Sequence, residues 1–578
     1  MTSLTDMDLF MIDGIGPFFL GHPKRTVNWS KIPFSFLEQE GRVRQDVFKE
    51  IRQAFSRFAG TAASLGFNAV SLDDLAHLTN HPSYPRPLRE RIASYREEFG
   101  RLFDIAQAAG LQVYLTTDIS FFNRELDETL GLDDGKIIRF LTDATDSLFR
   151  DFPAVQGLIT RFGECDGVDV RGDFLSRPIL RTPRQARRYV EGLLSACATR
   201  DRTLIMRTWS LGAYRIGDLM WNRKTFEAVF QGLDHPRLIL SMKYGETDFF
   251  RYVPLNSHFR DDTRHRKMIE LQARREYEGG GNYPSFIGWD YERYEQELAS
   301  CSNMAGAWIW CQTGGWTTSR HITFVKDSSL WNEINVAVTI GMFKTHQSAD
   351  SVVRQYCASH LPGVKADALL ELLRLSSDVV MELLYVDDYA RCAVYFRRLR
   401  LPPLLHVLWD TVFITDTMRL FLRHFVRDPE GKIAQGYEAL GKLRRMMALA
   451  ADMGLPLEGL KTQYAVYEVM AVAREYFFRA DDPAVKSRLR SLIHQIHLSH
   501  KENHSVFIIR FKKTRMGTGL IRLMLTLFIR RRRAYRLTDR LVLLRLLAWL
   551  GWVLKFIPAH RLPPVAVSQG MGLRHFLK

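Results

Sequence analysis

Residues 237–246 read RLILSMKYGE, an apolar run that ends in polar and charged side chains. Similar runs occur before and after it along the first 345 residues. Buried parallel strands have this pattern, because helices cover both of their faces while their ends reach solvent. Eight such runs predict eight strands: FMIDGIG (10–16), FNAVSLDD (67–74), LQVYLTTD (111–118), VQGLITRFGE (155–164), TLIMRTW (203–209), RLILSMKYGE (237–246), SFIGWD (285–290) and AGAWIWCQ (305–312).

Amphipathic helical patterns separate these runs, for example over residues 46–66 and 183–200. Eight β-α alternations without a GxGxxG turn favour a (β/α)₈ TIM barrel over a dinucleotide-binding sheet, and hence the α/β class. Strand signals fade after the barrel. The sequence therefore predicts a catalytic barrel over residues 1–345, an all-α C-terminal domain over 346–500 and a basic helical tail over 501–578.

The tail carries most of the net charge of +16, with seventeen Lys and Arg against two acidic residues between 501 and 578. Its apolar stretches are interrupted by these cations and include Trp549 and Trp552. Such a segment fits an anionic membrane surface, which we expect residues 520–557 to contact. A basic hairpin docked on the protein itself is the alternative. Nucleic acid is disfavoured because no recognised nucleic-acid motif is present.

The six cysteines are scattered and form no CxxC pair, which predicts reduced thiols and no metal site. No cofactor-binding motif is present either. The first residues, MTSLTDMDLFMIDGIG, lack a basic region before the apolar part, unlike a secretory signal. We therefore expect a cytoplasmic protein, peripheral at the inner face of the membrane through its tail. The oligomeric state is not indicated by the sequence.

Carboxylates, cations and tryptophans recur at the predicted strand ends, where a barrel places its functional groups. A single acid there is more often a helix cap or an ion-pair partner, but the combination suits a sugar site. Carboxyl groups can protonate a glycosidic oxygen or activate water, aromatic faces pack on sugar rings, and cations pair with acidic sugars. The residues concerned are Asp118, Arg161, Glu164, Arg207, Trp209, Lys243, Glu246, Asp248, Glu276, Trp289 and Trp310.

Several stretches resemble the α-glucuronidases of glycoside hydrolase family 67. SLGFNAVSLDDL (64–75) and LIMRTW (204–209) resemble barrel strands of that family. LSMKYGETDFF (240–250) followed by IELQARREYEGG (269–280) is similar to its K-x-G-P-x-D-F and E-L-Q-x-x-Q-E-Y-x-G segments. The acid segment RFGECDG (161–167) departs from the family pattern, and the family's N-terminal β-domain has no counterpart here.

The resemblance implies roles for individual residues. It places Asp248 and Glu276 on the carboxylates of the general base and Glu164 on the general acid. It also places Lys243 and Arg161 where the family has cations. Together with Arg207, these cations would hold the carboxylate or hydroxyls of the sugar. Further substrate contacts are expected from Asp118, Trp209, Glu246, Trp289 and Trp310.

The predicted function is glycoside hydrolysis with inversion, on an oligosaccharide or polysaccharide that bears an acidic sugar. Two alternatives remain open at this stage. One is a membrane-associated, non-catalytic glycan-binding or scaffold protein, and the other is a glycosyl transferase on the same barrel. Convergence of Glu164, Asp248 and Glu276 on one open pocket would favour the hydrolase.

Overall fold

A computed structural model describes most of the 578 residues. The described residues are 7–22, 31–162, 173–176, 179–210, 214–312, 321–326, 328–392, 395–396, 399–400, 403–404, 407–408, 411–503, 508–512, 519, 549, 552–553 and 556–558. Most of the basic tail therefore lies outside the described residues. Within the described part, no helix is long and apolar enough to cross a membrane.

Eight parallel strands form a closed barrel in which sequential strands are neighbours and β1 pairs with both β2 and β8. Helices lie between the strands, so the predicted (β/α)₈ fold is confirmed. The strands are β1 (Leu9–Asp13), β2 (Ala69–Asp73), β3 (Gln112–Asp118), β4 (Val155–Arg161), β5 (Thr203–Arg207), β6 (Leu238–Lys243), β7 (Arg266–Gln272) and β8 (Met304–Trp310).

The seventh strand is not where the sequence pattern placed it. Residues 285–290 were expected to form it, but strand β7 spans Arg266–Gln272 and a helix begins at Gly288. The true strand was missed because it opens with two cations. Lys267 is nevertheless fully buried, with its ammonium donating to the backbone carbonyls of Phe259 and Asp262.

The barrel helices bury one apolar face each. In the first of them, Phe48, Ile51, Phe55 and Phe58 recur at helical spacing and are buried. The helices up to and between the last strands are α1 (Gln45–Leu65), α2 (Arg86–Ala108), α3 (Arg124–Leu130), α4 (Asp134–Asp151), α5 (Pro183–Thr199), α6 (Arg223–Phe230), α7 (His258–Asp261) and α8 (Gly288–Leu298).

Apolar side chains fill the barrel interior as well as the layer between strands and helices. Met11, Ile159, Ile239, Met268 and Trp308 belong to the interior cluster. This packed interior closes the lower part of the barrel, so a ligand reaches only the mouth at the carboxyl ends of the strands.

A predominantly helical region follows the barrel, as predicted, and two short sheets accompany it. One sheet pairs β9 (Tyr395–Phe396) with β10 (Leu399–Arg400). The other contains β11 (Val407–Leu408), β12 (Thr411–Thr415) and β13 (Ile508–Lys512). The helices are α9 (Leu330–Thr345), α10 (Ala349–His360), α11 (Ala366–Val379), α12 (Asp387–Ala390), α13 (Asp416–Phe425), α14 (Pro429–Asp452), α15 (Glu458–Phe478) and α16 (Pro483–Asn503).

A buried ionic network joins the barrel to this helical region. Arg251, fully buried in the segment after β6, contacts Glu278 after β7 and donates to Ser377 Oγ of α11 at 2.7 Å. The hydroxyl of Tyr385 donates to Glu278 at 2.8 Å and accepts from the backbone N–H of Arg251. The segments that follow β6 and β7 are therefore held against the helical region.

Candidate active site

Five predicted site residues end barrel strands. They are Asp118 on β3, Arg161 on β4, Arg207 on β5, Lys243 on β6 and Trp310 on β8. Because the strands are parallel and the sheet is closed, their carboxyl ends meet at one mouth. The structure therefore brings these five side chains to the same end of the barrel.

Other candidates lie just beyond the strand ends. Trp209 follows β5, Glu246 and Asp248 follow β6, and Glu276 follows β7. Glu246 is buried, whereas Asp248 keeps part of its carboxylate accessible. Glu164 lies outside the described residues, so its role as the general acid stays a prediction.

Asp248 is surrounded by donors. Its Oδ1 accepts from the ammonium of Lys243 and from the backbone N–H of Phe249. Its Oδ2 accepts from the hydroxyl of Tyr277 at 2.6 Å. A carboxylate has only acceptor sites, and three donors from three directions fix the orientation of this one.

Glu276 is buried beside Asp248. Its backbone N–H donates to Oε1 of Gln272, the last residue of β7, at 2.9 Å. Burial and the negative charge of Asp248 raise the pKa of Glu276 to about 8, against the opposing charge of Lys243. At neutral pH Glu276 therefore keeps its proton beside Asp248, an arrangement that suits acid–base chemistry.

The turn that carries Glu276 is rigidly held. Glu278 accepts from Arg275 and from Arg251, and Ser285 Oγ donates to it at 2.6 Å. The glycines at 279–281 all have positive φ, as expected for a turn next to the site. At Gly279 a Cβ atom would lie 2.3 Å from the ring of Tyr283. Glycine is therefore required for the chain to fold back here.

Lys243 lies between the carboxylate pair and an aromatic wall. Its ammonium is 3.4 Å from the ring centroid of Trp209 and 4.4 Å from that of Phe249. Only 8% of the Lys243 side chain is exposed. A desolvated ammonium over aromatic faces is stabilised by the ring quadrupoles, so its position is well defined.

A second cation, Arg207, lies at the mouth at the end of β5. Its guanidinium forms a bidentate pair with Glu270 of β7, with nitrogen–oxygen distances of 3.0 and 2.8 Å. Burial opposes ionisation of Glu270, but the attraction of Arg207 lowers its pKa overall. Arg207 also lies 4.6 Å from the ring centroid of Trp310. Glu270 therefore holds the guanidinium of Arg207 in a fixed orientation.

The opposite side of the mouth is built on β2, β3 and β4. Arg161 donates to Asp118 Oδ1 at 2.8 Å, and Lys31 approaches Asp118 Oδ2 at 3.5 Å. Burial alone would raise the pKa of Asp118, yet these cations hold it near 2. Burial and the negative charge of Asp74 raise the pKa of Asp73 to about 6, although Lys31 acts in the opposite direction.

A cavity of about 20 Å³ opens between these groups and has room for about one water molecule. Among the described residues, three buried donors at the mouth have no hydrogen-bond partner: the indole N–H groups of Trp209 and Trp310 and the hydroxyl of Thr160. Buried polar groups are normally paired. Thr160 and Trp310 line the cavity, so a water molecule or a ligand hydroxyl bound there can accept from them.

Trp289 does not lie at a strand end, contrary to the expectation from the sequence. It belongs to α8, and its indole N–H donates to Asp350 of α10 at 2.8 Å. Its ring packs against Phe286 and lies near the guanidinium of Arg374. The side chain thus joins the barrel to the helical region. It is not at the mouth because residues 285–290 do not form a strand.

Several residues of the mouth were not predicted from the sequence. Lys31 lies in the segment before α1, so no strand-end pattern could identify it. Tyr277 directly follows Glu276 in the sequence, so its position next to a predicted site residue could have identified it. Among the described residues, no group of His, Cys, Asp and Glu has the geometry of a metal site.

No family model and no curated protein matches the chain. Its fold is similar to solved structures of glycoside hydrolases. A GH138 enzyme that targets pectin rhamnogalacturonan II aligns over 87% of this chain, with 11% identity and a TM-score of 0.53. This chain spans 63% of the length of that enzyme.

Two further structures align with lower TM-scores. A family 89 glycoside hydrolase from Clostridium perfringens, in complex with PUGNAc, has a TM-score of 0.47 and 11% identity over 86% of this chain and 54% of its own. An O-GlcNAc hydrolase from Thermobaculum terrenum has a TM-score of 0.39 and 11% identity over 82% and 90%. At 11% identity, the likeness to the GH138 enzyme shows the barrel fold alone, and the family 67 resemblance stays a prediction.

Proposed function

We propose that this chain is a glycoside hydrolase whose catalytic groups lie at the mouth of the barrel. The observation that carries the proposal is the pair formed by Asp248 and Glu276. One member is held by three donors, and the other retains a proton up to a pH of about 8. Glycoside hydrolysis needs two carboxyl groups in different protonation states near one sugar.

In the proposed reaction, Glu164 protonates the leaving oxygen and Asp248 activates water on the opposite face of the sugar. Glu276, the other residue expected at the general base, has a pKa raised to about 8 and stays protonated at neutral pH, so we assign the activation of water to Asp248. Inversion requires roughly 6.5–9.5 Å between the acid and base carboxyl groups, which leaves room for the water. Lys243 and Tyr277 orient Asp248 through their hydrogen bonds.

An acidic sugar is the proposed substrate. Arg161, Arg207 and Lys243 lie at the mouth, and each is desolvated and fixed by an acid or an aromatic ring. Fixed cations recognise a carboxylate without a large entropic cost. The unpaired indole N–H groups of Trp209 and Trp310 can donate to its hydroxyls.

The test is hydrolysis of a panel of acidic and neutral oligosaccharides, with the anomeric configuration of the first product followed by NMR. The wild type should release an inverted sugar from an acidic substrate. Asp248→Asn and Glu164→Gln should each lower kcat by about 10²-fold or more, since each removes an acid or base function. Glu128→Gln, on the exposed surface of α3, is the matched control and should leave kcat unchanged.

The outcomes separate the alternatives. A retained anomer would overturn the inverting mechanism but keep the hydrolase. Activity that survives Asp248→Asn would remove the carboxylate pair from the reaction. Binding of oligosaccharides without turnover of any of them would favour a glycan-binding protein, and turnover only with an activated sugar donor would favour a transferase.

A further inference from the structure

A second cavity lies on the flank of the barrel, between the helices that follow β1 and β8. Its volume is about 650 Å³, within the range of roughly 300–1,000 Å³ that is typical of small-molecule sites. Helices α1, α9 and α10 and the loop of residues 321–326 form its walls. We call it the flank groove, and its charged and aromatic lining consists of Arg57, Phe324, Lys326, Glu333, Tyr356 and His360.

The loop that forms one wall of the groove is held to the mouth of the barrel. The hydroxyl of Thr323 donates to the backbone carbonyl of Cys311 at 2.9 Å, and Cys311 directly follows β8. The backbone N–H of Phe324 donates to Ser328 Oγ at 3.0 Å, and Phe324 has a φ of 58°. A left-handed backbone is unfavourable for a bulky residue and persists only where its surroundings hold it, often beside a ligand. Because Lys326 lies three positions after Thr323, their Cα atoms are at most about 11 Å apart, and the groove begins near the mouth.

The flank groove has an excess of positive charge. Arg57 and Lys326 are exposed, and in the part of the chain that the structure describes neither side chain takes part in an ion pair or a hydrogen bond. Among the described lining residues Glu333 is the acidic one, so two cations face one carboxylate. Cations of this kind can pair with an anionic ligand without first giving up an ion pair within the protein.

Aromatic rings lie beside these cations. The ring of His360 stacks on that of Tyr356, with centroids 4.6 Å apart and planes 9° apart. Tyr356 is buried, whereas His360 is exposed and Phe324 is half-buried, so ring surface remains open to a ligand. Aromatic faces pack on sugar rings. The cations, the accessible rings and the volume together fit an acidic sugar better than a small inorganic anion.

We propose that the flank groove binds a charged unit of an acidic oligosaccharide, in addition to the unit held in the mouth. The proposal rests on the proposed function, because it assigns both sites to the same substrate. Arg57 and Lys326 pair with the carboxylate of the sugar, and the exposed ring of His360 packs on the sugar ring. The loop of residues 321–326 joins the two sites, so one oligosaccharide can extend from the mouth into the groove.

Isothermal titration of the full chain with hexagalacturonate, an acidic hexamer, tests the proposal. The titration is performed on the Asp248→Asn background, so that hydrolysis contributes no heat. The groove variant Arg57→Gln/Lys326→Gln should lower the affinity about 5-fold or more at about 0.05 M salt, because two ion pairs with the ligand are lost. Glu333→Gln should raise the affinity about 2-fold or more, because it removes the repulsion between two carboxylates.

The matched control is Arg89→Gln/Lys461→Gln. It removes one exposed arginine of α2 and one exposed lysine of α15, and it should bind hexagalacturonate like its parent. Maltohexaose, a neutral hexamer, should bind more weakly, and it should bind the groove variant and its parent equally.

Three contrary results would overturn the proposal. They are no binding of hexagalacturonate, equal affinities of the groove variant and its parent, and an equal loss of affinity in the matched control. Tighter binding of inorganic phosphate than of hexagalacturonate, lost in the groove variant, would assign the groove to a phosphate group instead. Binding through the groove by a chain that hydrolyses no oligosaccharide would contradict the proposed hydrolase alone. Hydrolysis with an unchanged affinity in the groove variant would contradict the groove alone.

Discussion

At the residue scale, the chemistry of the candidate site depends on how burial and neighbouring charges shift the pKa values of its carboxyl groups. Asp248 has three donors, whereas Glu276 is buried with its backbone amide bound to Gln272. Environment, not residue type, therefore distinguishes the two carboxyl groups. Sequence alone placed Asp248 at the end of the sixth predicted strand and Glu276 in the segment that follows it, but it could not predict the raised pKa of Glu276, because burial and the approach of Asp248 and Lys243 depend on the folded barrel.

Glu276 should make stability depend on pH. Burial and Asp248 raise its pKa from 4.5 to about 8 in the folded chain. Between these values the unfolded chain releases a proton that the folded chain retains, so the free energy of unfolding falls as pH rises. Glu276→Gln removes this loss of stability, because glutamine does not ionise. We expect the variant to be more stable than the wild type by on the order of 4 kcal/mol near pH 8.5, and by almost nothing near pH 4.5.

Denaturant unfolding of both proteins at these two pH values measures the effect. The exposed Glu128→Gln is the control and should show no pH-dependent difference. A gain of equal size at both pH values would instead indicate improved packing. A lower stability of Glu276→Gln at alkaline pH would contradict the raised pKa.

At the element scale, the strand pattern predicted seven of the eight barrel strands, because an apolar run with a polar end reports burial on both faces. The prediction of the seventh strand was wrong for a specific reason. Lys267 enters the buried part of β7 and satisfies its ammonium on backbone carbonyls of Phe259 and Asp262, contacts that no local pattern reveals. The aromatic run at 285–290 instead packs against the helical region through Trp289.

The buried network around Glu278 should dominate the stability of the segments that carry Asp248 and Glu276. Glu278 is the shared partner of Arg251 and Arg275, and the cations lower its pKa against the effect of burial. Glu278→Gln leaves two buried guanidinium groups without this charge and should cost about 3–5 kcal/mol. Arg251→Met should cost less, because Glu278 keeps Arg275.

Chemical unfolding of the two variants, with Glu128→Gln as the exposed control, tests this order. The inverse order, with Arg251→Met more destabilising, would place the main energetic role in the contacts of Arg251 with Ser377 and Phe286. A cost for Glu278→Gln no greater than that of the control would show that the network is energetically neutral.

At the scale of the whole molecule, the barrel and the helical region share one apolar core. A single cluster of buried side chains extends from Phe10 and Phe48 in the barrel to Leu443 and Tyr467 in the helical region. The sequence indicated a boundary near residue 345, where strand signals fade. It did not indicate this shared core, because the contacts join residues far apart in the chain.

We therefore expect the barrel and the helical region to unfold together. Unfolding of one part would expose the shared apolar cluster of the other and would open the Arg251 network to water. The remaining part would therefore be unstable on its own. Scanning calorimetry should show one transition over the two regions, with equal calorimetric and van't Hoff enthalpies. Glu278→Gln should lower the temperature of that transition as a whole. Two resolved transitions in the wild type would instead establish residues 1–345 and 346–500 as independent folding units, and the variant would then shift only the transition of the barrel.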